Sequence, residues 1–256
     1  MKKAYINWSS GKDAAFALYK VKKEDEYDVQ KLVSTVNTET NRVSMHGLRV
    51  ELMQQQADAI GIPLQLIELD GNVSMQTYNE LMGIETGKLL DEGFNYSIFG
   101  DIFLEDIRKY REKQLGEKGI KAVFPLWKKD TTQMMQEFLE SGFKAIVVSV
   151  NAAKLDKSFC GRFIDESFLK DLPSNVDPCG ENGEFHTFVY EGPIFSKSID
   201  FEIGDIVEKN YTTSGDNDDD CFSDEKESWD TRFFYCDLLP KNNPGIAARV
   251  IQNKLF

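Results

Sequence analysis

Residues 4–18, AYINWSSGKDAAFAL, join an apolar run to a helical pattern through a turn of small and charged residues. The run at 4–8 predicts a buried strand, and the apolar spacing over 13–23 predicts a helix. Such a turn points backbone N–H groups and the positive end of the helix dipole at one place, which suits a phosphate. Lys12 adds a positive charge, and Asp13 either caps the helix or shares Mg²⁺ with bound phosphates. The turn therefore predicts an anion site, with a serine-rich turn and an aspartate N-cap as the alternative.

Two common nucleotide motifs are excluded at this turn. The ordinary P-loop does not fit, because Ile6 stands where its first glycine belongs and Asp13 replaces its Ser/Thr. The dinucleotide fingerprint does not fit either, since its glycine triplet is missing.

Strands and helices alternate through the first half of the chain. Further strands are predicted at 29–37, 64–69 and 96–102, and helices at 46–60, 75–92 and 104–119. This alternation predicts an α/β fold: a Rossmann-like parallel sheet with helices on both faces. Ligands of such sheets bind beyond the carboxyl ends of the strands, near a topological switch point.

The pattern changes after Trp127, where shorter elements and a glycine-rich stretch at 177–195 follow. We expect a first domain over 1–124, a smaller C-terminal α/β domain over 125–240 and a C-terminal tail over 241–256.

Composition narrows the class of protein. The 256 residues are 41% hydrophobic and carry a formal net charge of −13, which disfavours a nucleic-acid partner. We expect no membrane span and no signal peptide, and the four cysteines lack the spacing of a zinc or disulfide framework, so the cytoplasm is the expected location. The acidic run at 214–227 predicts a mobile solvated loop; it lacks the glycine and glutamate positions of a calcium-binding EF-hand.

The turn resembles a known pyrophosphate loop. SSGKDA, residues 9–14, is similar to the SGGxDS loop of ATP pyrophosphatases, with Ser10 in place of the first glycine and Ala14 in place of the final serine. Longer stretches resemble the diphthine–ammonia ligase family within the adenine nucleotide α-hydrolase-like (HUP-type) superfamily. They are RVSMHGLRVELMQQQADAIGIPL (42–64), FGDIFLEDIRKYREKQL (99–115), FPLW (124–127) and DPCGENGEFHT (177–187).

The resemblance implies an enzyme that binds ATP with Mg²⁺ and forms an amide from a carboxylate and ammonia. Nucleotide binding is then expected at Ser9, Ser10, Gly11, Lys12, Asp13, Val36, Asn37, His46, Gly47, Gly100 and Asp101. Asp13 and Asp101 are the expected magnesium ligands, with a helix N-cap as the alternative for Asp101. The expected catalytic residues are Lys12, Asp13, Glu181, Glu184 and His186, the last three serving to bind or deprotonate ammonium or to hold magnesium. Cys179 is either a nucleophile or a small packing residue.

The acceptor is less defined than the nucleotide. The stretch after the fourth strand departs from the family's tyrosine–glutamine–arginine pattern and resembles a branch found in bacteria, which do not make diphthamide. A small carboxylate or a protein side chain is then the expected acceptor, and a homodimer the default assembly. Two rival interpretations stay open: a tRNA-modifying ATP pyrophosphatase and a non-catalytic nucleotide-binding module.

Overall fold

A computed structural model describes residues 1–43, 47–71, 73–211 and 231–241. The first sheet is built on parallel strands in the order β4–β2–β1–β5–β6. They are β1 (Lys2–Asn7), β2 (Tyr27–Asn37), β4 (Leu64–Leu69), β5 (Tyr96–Ile98) and β6 (Lys121–Val123), while β3 (Arg42–Val43) pairs antiparallel with the end of β2. Helices cover both faces, so the expected α/β Rossmann-like architecture is confirmed. The order of strands reverses at β1, which makes the gap between the ends of β1 and β5 the switch point.

Four helices connect these strands. They are α1 (Lys12–Glu24), α2 (Val50–Ile60), α3 (Met75–Asp91) and α4 (Glu105–Gly116). α1 forms because Ala14, Ala15 and Leu18 lie on a buried face, and it ends where Asp25 takes a left-handed conformation. α2 begins at Val50 rather than at the predicted 46, because Gly47 has a φ of +65° and Arg49 is extended at the N-cap.

β5 is shorter than the predicted strand at 96–102. It ends at Ile98, so Gly100 and Asp101 lie in the loop after the strand. The alternative of Asp101 as a helix cap is wrong, because Leu104 is the N-cap of α4. Asp13 is likewise not the cap of α1, since Gly11 occupies that position.

The second sheet is antiparallel, in the order β8–β7–β10–β9. Its strands are β7 (Lys144–Asn151), β8 (Phe185–Glu191), β9 (Phe201–Tyr211) and β10 (Thr231–Pro240). Helices α5 (Thr131–Glu140) and α6 (Glu166–Asp171) and a short 3₁₀ turn at Lys157–Phe159 accompany it. The expected smaller α/β part is therefore present.

Helix α1 joins the two sheets into one core. Phe16 of α1 packs edge-on against Phe138 of α5 and Phe143, with ring centroids 5.9 and 6.0 Å apart. All three rings are almost completely buried, and each contributes about 2–3 kcal/mol by leaving water. Because the pyrophosphate-like turn leads directly into this helix, packing between the sheets fixes its position.

Two of the stretches predicted from the sequence, the acidic run at 214–227 and nearly all of the tail at 241–256, lie outside the described residues. Within the described residues, no helix combines the length and apolar character needed to cross a membrane.

Candidate functional site: the turn after the first strand

The turn between β1 and α1 has an unusual backbone. Ser10 has a φ of +68°, a left-handed conformation that favours glycine, and it occupies the position where the resembling loop carries glycine. Its carbonyl accepts hydrogen bonds from the Val189 amide at 3.0 Å and from Gln56 Nε2 at 3.1 Å. Strand β8 and helix α2 therefore hold this strained residue in place.

Strand β8 also closes over the start of α1. The Lys12 amide donates to Thr187 Oγ1 at 3.0 Å. A Cβ on Gly11 would lie 3.2 Å from the carbonyl oxygen of Thr187, which is tighter than most contacts. Glycine at position 11 thus lets the second sheet approach the turn closely. Ser9 is partly buried, and its Oγ accepts from the Gly11 amide at 3.4 Å.

Gln56 connects three elements beneath the turn. Its Oε1 accepts from Trp8 Nε1 at 3.0 Å, and its Nε2 donates to the carbonyl oxygens of Ser10 and of Val189, the latter at 2.6 Å. Gln56 is completely buried, and these bonds satisfy its amide. The sequence offered one signal for it: a polar residue on the apolar face of α2, four residues after Leu52.

Lys12 and Asp13 form an ion pair at the start of α1. Lys12 Nζ lies 2.9 and 2.8 Å from the two carboxylate oxygens of Asp13. The lysine side chain is 4% exposed and that of Asp13 is 29% exposed. Burial is the largest single effect and would lower the pKa of Lys12, but the charge and hydrogen bond of Asp13, together with the nearby Cys179 and Glu181, raise the pKa overall. Lys12 is therefore a permanent cation beside the helix N-terminus.

The loop after β5 approaches this pair closely. A Cβ on Gly100 would lie 2.7 Å from the carbonyl carbon of Asp13 and 2.9 Å from the Ala14 amide nitrogen. Only glycine allows this approach, which brings the next residue, Asp101, beside the first turn of α1. Burial raises the pKa of Asp101, with the charge of Asp13 adding to the effect and Arg111 opposing it. The two predicted magnesium ligands are thus close enough for electrostatic repulsion between their carboxylates to raise the pKa of Asp101.

Arg111 is the charged neighbour of Asp101. Its Nη1 lies 3.1 Å from Asp101 Oδ2, and its guanidinium carbon stands 4.3 Å from the ring centre of Phe99. Arg108, in contrast, pairs with Glu112 at 2.7 Å on the surface of α4. The two arginines, which lie one turn apart on α4, therefore bind different carboxylates and do not act together on one anion.

Glu181 brings the glycine-rich loop of the second half to the same place. Its Oε1 accepts from the Ile102 amide at 2.8 Å, and its own amide donates to Asp177 Oδ2 at 3.0 Å. Burial, together with the negative charge of Asp13, raises the pKa of Glu181 to about 7. A carboxyl group with this pKa exchanges protons at neutral pH, which is what a general base or acid requires.

Glu184 is buried more deeply and has one open oxygen. Its Oε1 accepts from the Asp177 amide and from Asn182 Nδ2, both at 3.2 Å. Glu184 is only 1% exposed, and its Oε2 has no hydrogen-bond partner among the described residues. A buried carboxylate oxygen without a partner is an acceptor for a hydrogen bond or for a bound cation.

His186 and Cys179 are placed differently from Glu181. His186 follows Phe185 on β8, and because Phe185 and Thr187 face α1, alternation turns His186 to the opposite face of the strand. Cys179 is buried, its Sγ contacts the carbonyl oxygen of Thr131 at 3.4 Å, and burial raises the pKa of its thiol far above neutrality. Such a thiol is a packing residue rather than a nucleophile.

The family resemblance implies that the adenine of ATP would meet backbone groups of Val36 and Asn37, which lie at the end of β2. Val36 is buried, and Asn37 Nδ2 donates to the carbonyl oxygen of Gly71 at 3.3 Å while its Oδ1 accepts from the Thr40 amide. Gly47 packs against Tyr235 of β10, where an added Cβ would lie 2.9 Å from the ring. His46 is outside the described residues.

The site contains oxygen donors that suit a magnesium phosphate. Among the described residues, Ser10 Oγ is buried without a hydrogen-bond partner, and Asp101 Oδ2 is buried with the Arg111 ion pair at 3.1 Å as its contact. Asp13 and Asp101 supply the hard oxygen ligands that Mg²⁺ prefers, usually together with water and phosphate oxygens. The part of the chain that the structure describes contains no group of three or more His, Cys, Asp or Glu side chains arranged to hold a metal without other ligands. The residues therefore fit an ion that arrives with phosphates.

Family models match both halves of the chain. The model described as the diphthamide synthase N-terminal domain matches residues 1–122, and the one described as the C-terminal domain matches 130–218. The chain belongs to the diphthamide synthase family. The turn, the Asp101 loop and the Glu181 loop of this family member thus come from both of the matched regions.

Curated relatives of this family member are named diphthine–ammonia ligase. The Schizosaccharomyces pombe protein is 34% identical over 35% of this chain and 16% of its own length. The Bos taurus protein is 29% identical over 41% of each chain, and the Homo sapiens protein is 25% identical over 59% of this chain and 62% of its own. The chain thus matches less than two thirds of the length of each of these relatives.

One solved structure, the U34-tRNA thiolase NcsA from Methanococcus maripaludis with its [4Fe-4S] cluster, is also similar over 54% of this chain and 57% of its own. Its TM-score of 0.35 and identity of 14% support no conclusion about this family member.

Proposed function

We propose that this family member is an ATP-dependent amide-forming ligase that cleaves ATP to AMP and pyrophosphate. The observation that supports it best is the meeting of Lys12, Asp13, Asp101 and Glu181 at the switch point of the first sheet. A buried cation and a helix N-terminus there suit a polyphosphate, and an acid with a pKa of about 7 lies beside them. The names of the curated relatives support the same reaction class.

In this proposal, the start of α1 and Lys12 bind the β- and γ-phosphates. The lysine exchanges its partner, from the Asp13 carboxylate to phosphate oxygens, when the nucleotide enters. Asp13 and Asp101 would hold Mg²⁺, which supplies charge neutralisation of the phosphates when bound. The strained Ser10 backbone and its bonds to β8 and α2 keep the donors in place before the reaction, which is the condition for electrostatic stabilisation.

The first chemical step forms an acyl-adenylate. A carboxylate oxygen of the acceptor attacks the α-phosphorus of ATP, and the bond from that phosphorus to the bridging oxygen breaks. Pyrophosphate leaves with the electron pair, next to Lys12. The glycine-rich loop at 177–184 covers this side of the site and excludes water, which would otherwise hydrolyse the adenylate.

The second step consumes ammonia and assigns a role to Glu181. The Glu181 carboxylate takes one proton from an ammonium ion, and the ammonia released attacks the acyl carbon. The bond from the acyl carbon to the phosphate oxygen breaks, AMP leaves with its electron pair, and the phosphate of AMP takes the further proton that the amide nitrogen loses. The open Oε2 of Glu184 is a hydrogen-bond acceptor for the incoming ammonium. This proposed mechanism does not use His186, which lies on the other face of β8.

The acceptor is a carboxylate, and diphthine is the first candidate because the curated relatives are named diphthine–ammonia ligase. In the family that the sequence resembles, diphthine stands on elongation factor 2. Membership of a bacterial branch, which would require another acceptor, stays a prediction, as do the cytoplasmic location and a homodimer.

The test is an assay of AMP and pyrophosphate in the presence of ATP, Mg²⁺, ammonium and diphthine-bearing elongation factor 2. Small carboxylates replace the elongation factor in a second arm. We expect AMP and pyrophosphate to form in equal amounts only when acceptor and ammonium are both present. Formation of ADP and phosphate instead would refute attack at the α-phosphorus, and tight ATP binding without turnover in either arm would favour a nucleotide-binding module.

Lys12→Ala tests the binding part of the proposal. We expect this variant to lose at least about 100-fold in turnover, because a buried charged donor to the phosphates is removed. Lys22→Ala is the matched control, since Lys22 is exposed near the other end of the same helix. Equal rates in the two variants would remove Lys12 from the mechanism.

The wild-type rate should also rise with pH through about 7, as Glu181 loses its proton.

A further inference from the structure

The hairpin between β2 and α2 carries two arginines, Arg42 and Arg49, which are seven residues apart in the sequence. In the fold they lie opposite each other, joined by an isolated antiparallel bridge. Both guanidinium groups point to one carboxylate, that of Asp237 on β10 in the second sheet. Arg42 Nη1 donates to its Oδ1 at 2.9 Å, and Arg49 donates to Oδ1 at 3.1 Å and to Oδ2 at 2.6 Å.

Several observations make this contact more than a surface ion pair. The side chains of Asp237, Arg42 and Arg49 are only 22%, 27% and 33% exposed. Three charge-assisted bonds converge on one carboxylate, with a bidentate geometry at Arg49. Although burial alone would raise the pKa of Asp237, the bonds from Arg49 and Arg42 lower it. Asp237 is therefore ionised at neutral pH and acts as the anion of the cluster.

The hairpin has a second attachment to the same strand. Arg42 Nη1 also donates to the Gly47 carbonyl oxygen at 2.6 Å, and Gly47 lies directly against the ring of Tyr235. Its φ of +65° and the missing Cβ permit that approach. The Gly47–Tyr235 contact therefore ties the hairpin to β10, and the Arg42–Gly47 bond joins this contact to the arginine that binds Asp237.

The attachment to Asp237 is connected to the end of β2 through strand β3. Arg42 and Val43 form β3, which pairs in register with Asn37 and Val36. These two residues end β2 at the carboxyl edge of the first sheet, where the proposed nucleotide would place its base. A chain of direct contacts thus runs from Asp237 through Arg42 to Asn37.

We infer that Asp237 is a positioning residue, which reaches from the second sheet to hold β3 and the end of β2 in the geometry that binds the base of the nucleotide. This inference rests on the proposed function, because it assigns a nucleotide to that edge. It also means that the second sheet contributes to ATP affinity without touching ATP.

The experiment measures ATP affinity by titration calorimetry and kcat at saturating ATP for the full chain. Asp237→Asn keeps the shape and one acceptor oxygen but removes the charge, and we expect its Kd for ATP to rise about tenfold with kcat within about twofold. Asp237→Glu should recover part of the affinity. Glu202→Gln is the control, because Glu202 is exposed on the adjacent strand β9 and has the same change in charge.

Arg42→Gln separates positioning from general stability. It cuts the link to β3 but keeps the bidentate Arg49–Asp237 pair, so the variant should fold and still bind ATP weakly. Hydrogen exchange without nucleotide should accelerate at the amides of 36–43 in both Asp237→Asn and Arg42→Gln. Unchanged exchange there, unchanged ATP affinity, or an equal loss in Glu202→Gln would each overturn the inference. Wild-type protein that binds no ATP would instead refute the proposed function.

Discussion

Replacing Glu181 by glutamine should stabilise this protein above pH 7 while it removes the proposed proton acceptor. The folded protein raises the pKa of Glu181 from 4.5 to about 7, first through burial and then through the charge of Asp13. Glutamine has nearly the same shape, keeps an oxygen for the Ile102 amide and carries no charge at any pH. The variant therefore isolates the electrostatic cost of this one carboxylate.

The sign and size of the effect follow from proton linkage. Below pH 4.5 both the folded and the unfolded protein hold the proton, so the favourable contribution is fully present. Between pH 4.5 and 7 the unfolded chain releases the proton while the folded protein keeps it, and the free energy of unfolding falls. A difference of about 2.5 pH units at about 1.4 kcal/mol each gives a loss of at most about 3–4 kcal/mol. Solvent around the partly exposed side chain makes the measured value smaller.

Urea unfolding of wild type and Glu181→Gln at pH 4.5, 6 and 8 measures this effect. The advantage of the variant should grow with pH and level off above 7, whereas the control Glu117→Gln, at an exposed site just after α4, should show no such trend. Amide formation by Glu181→Gln should fall at least about 100-fold at pH 7. A stability difference that stays constant from pH 4.5 to 8 would show that Glu181 is not buried beside Asp13 as described.

Two other substitutions test how the site is held together. Gly100→Ala should lower the free energy of unfolding by about 1–3 kcal/mol and weaken ATP binding, because its Cβ would overlap the backbone of Asp13. Gly87→Ala, inside α3 with no atom within 4 Å of the added Cβ, should raise stability by about 0.5–1 kcal/mol in the same calorimetric scan; a larger loss at 87 than at 100 would contradict the close approach. Gln56→Ala should lower the free energy of unfolding by about 2–4 kcal/mol through its three lost hydrogen bonds, measured by urea unfolding against Gln55→Ala on the partly exposed side of α2. Equal effects of the two glutamine variants would refute the role of the three Gln56 hydrogen bonds in holding the turn.

The sequence determined the elements and the class of fold. The spacing of apolar residues placed β4 at 64–69 and α1 and α3 within one residue of their observed ends, because side-chain periodicity is set by local backbone geometry. The turn at residues 9–13 was also visible, since a strand, small residues and a helix follow one another directly. Where a glycine takes a positive φ, as at Gly47, the helix began later than the apolar spacing indicated.

The tertiary structure alone decided how the site is assembled. The bond between the Lys12 amide and Thr187 joins residues 175 positions apart, and that between Arg49 and Asp237 joins residues 188 positions apart. No local pattern encodes such pairs, because they depend on how two sheets pack on α1. The same holds for the raised pKa values of Glu181 and Asp101, since burial and neighbouring charge exist only after the chain has folded.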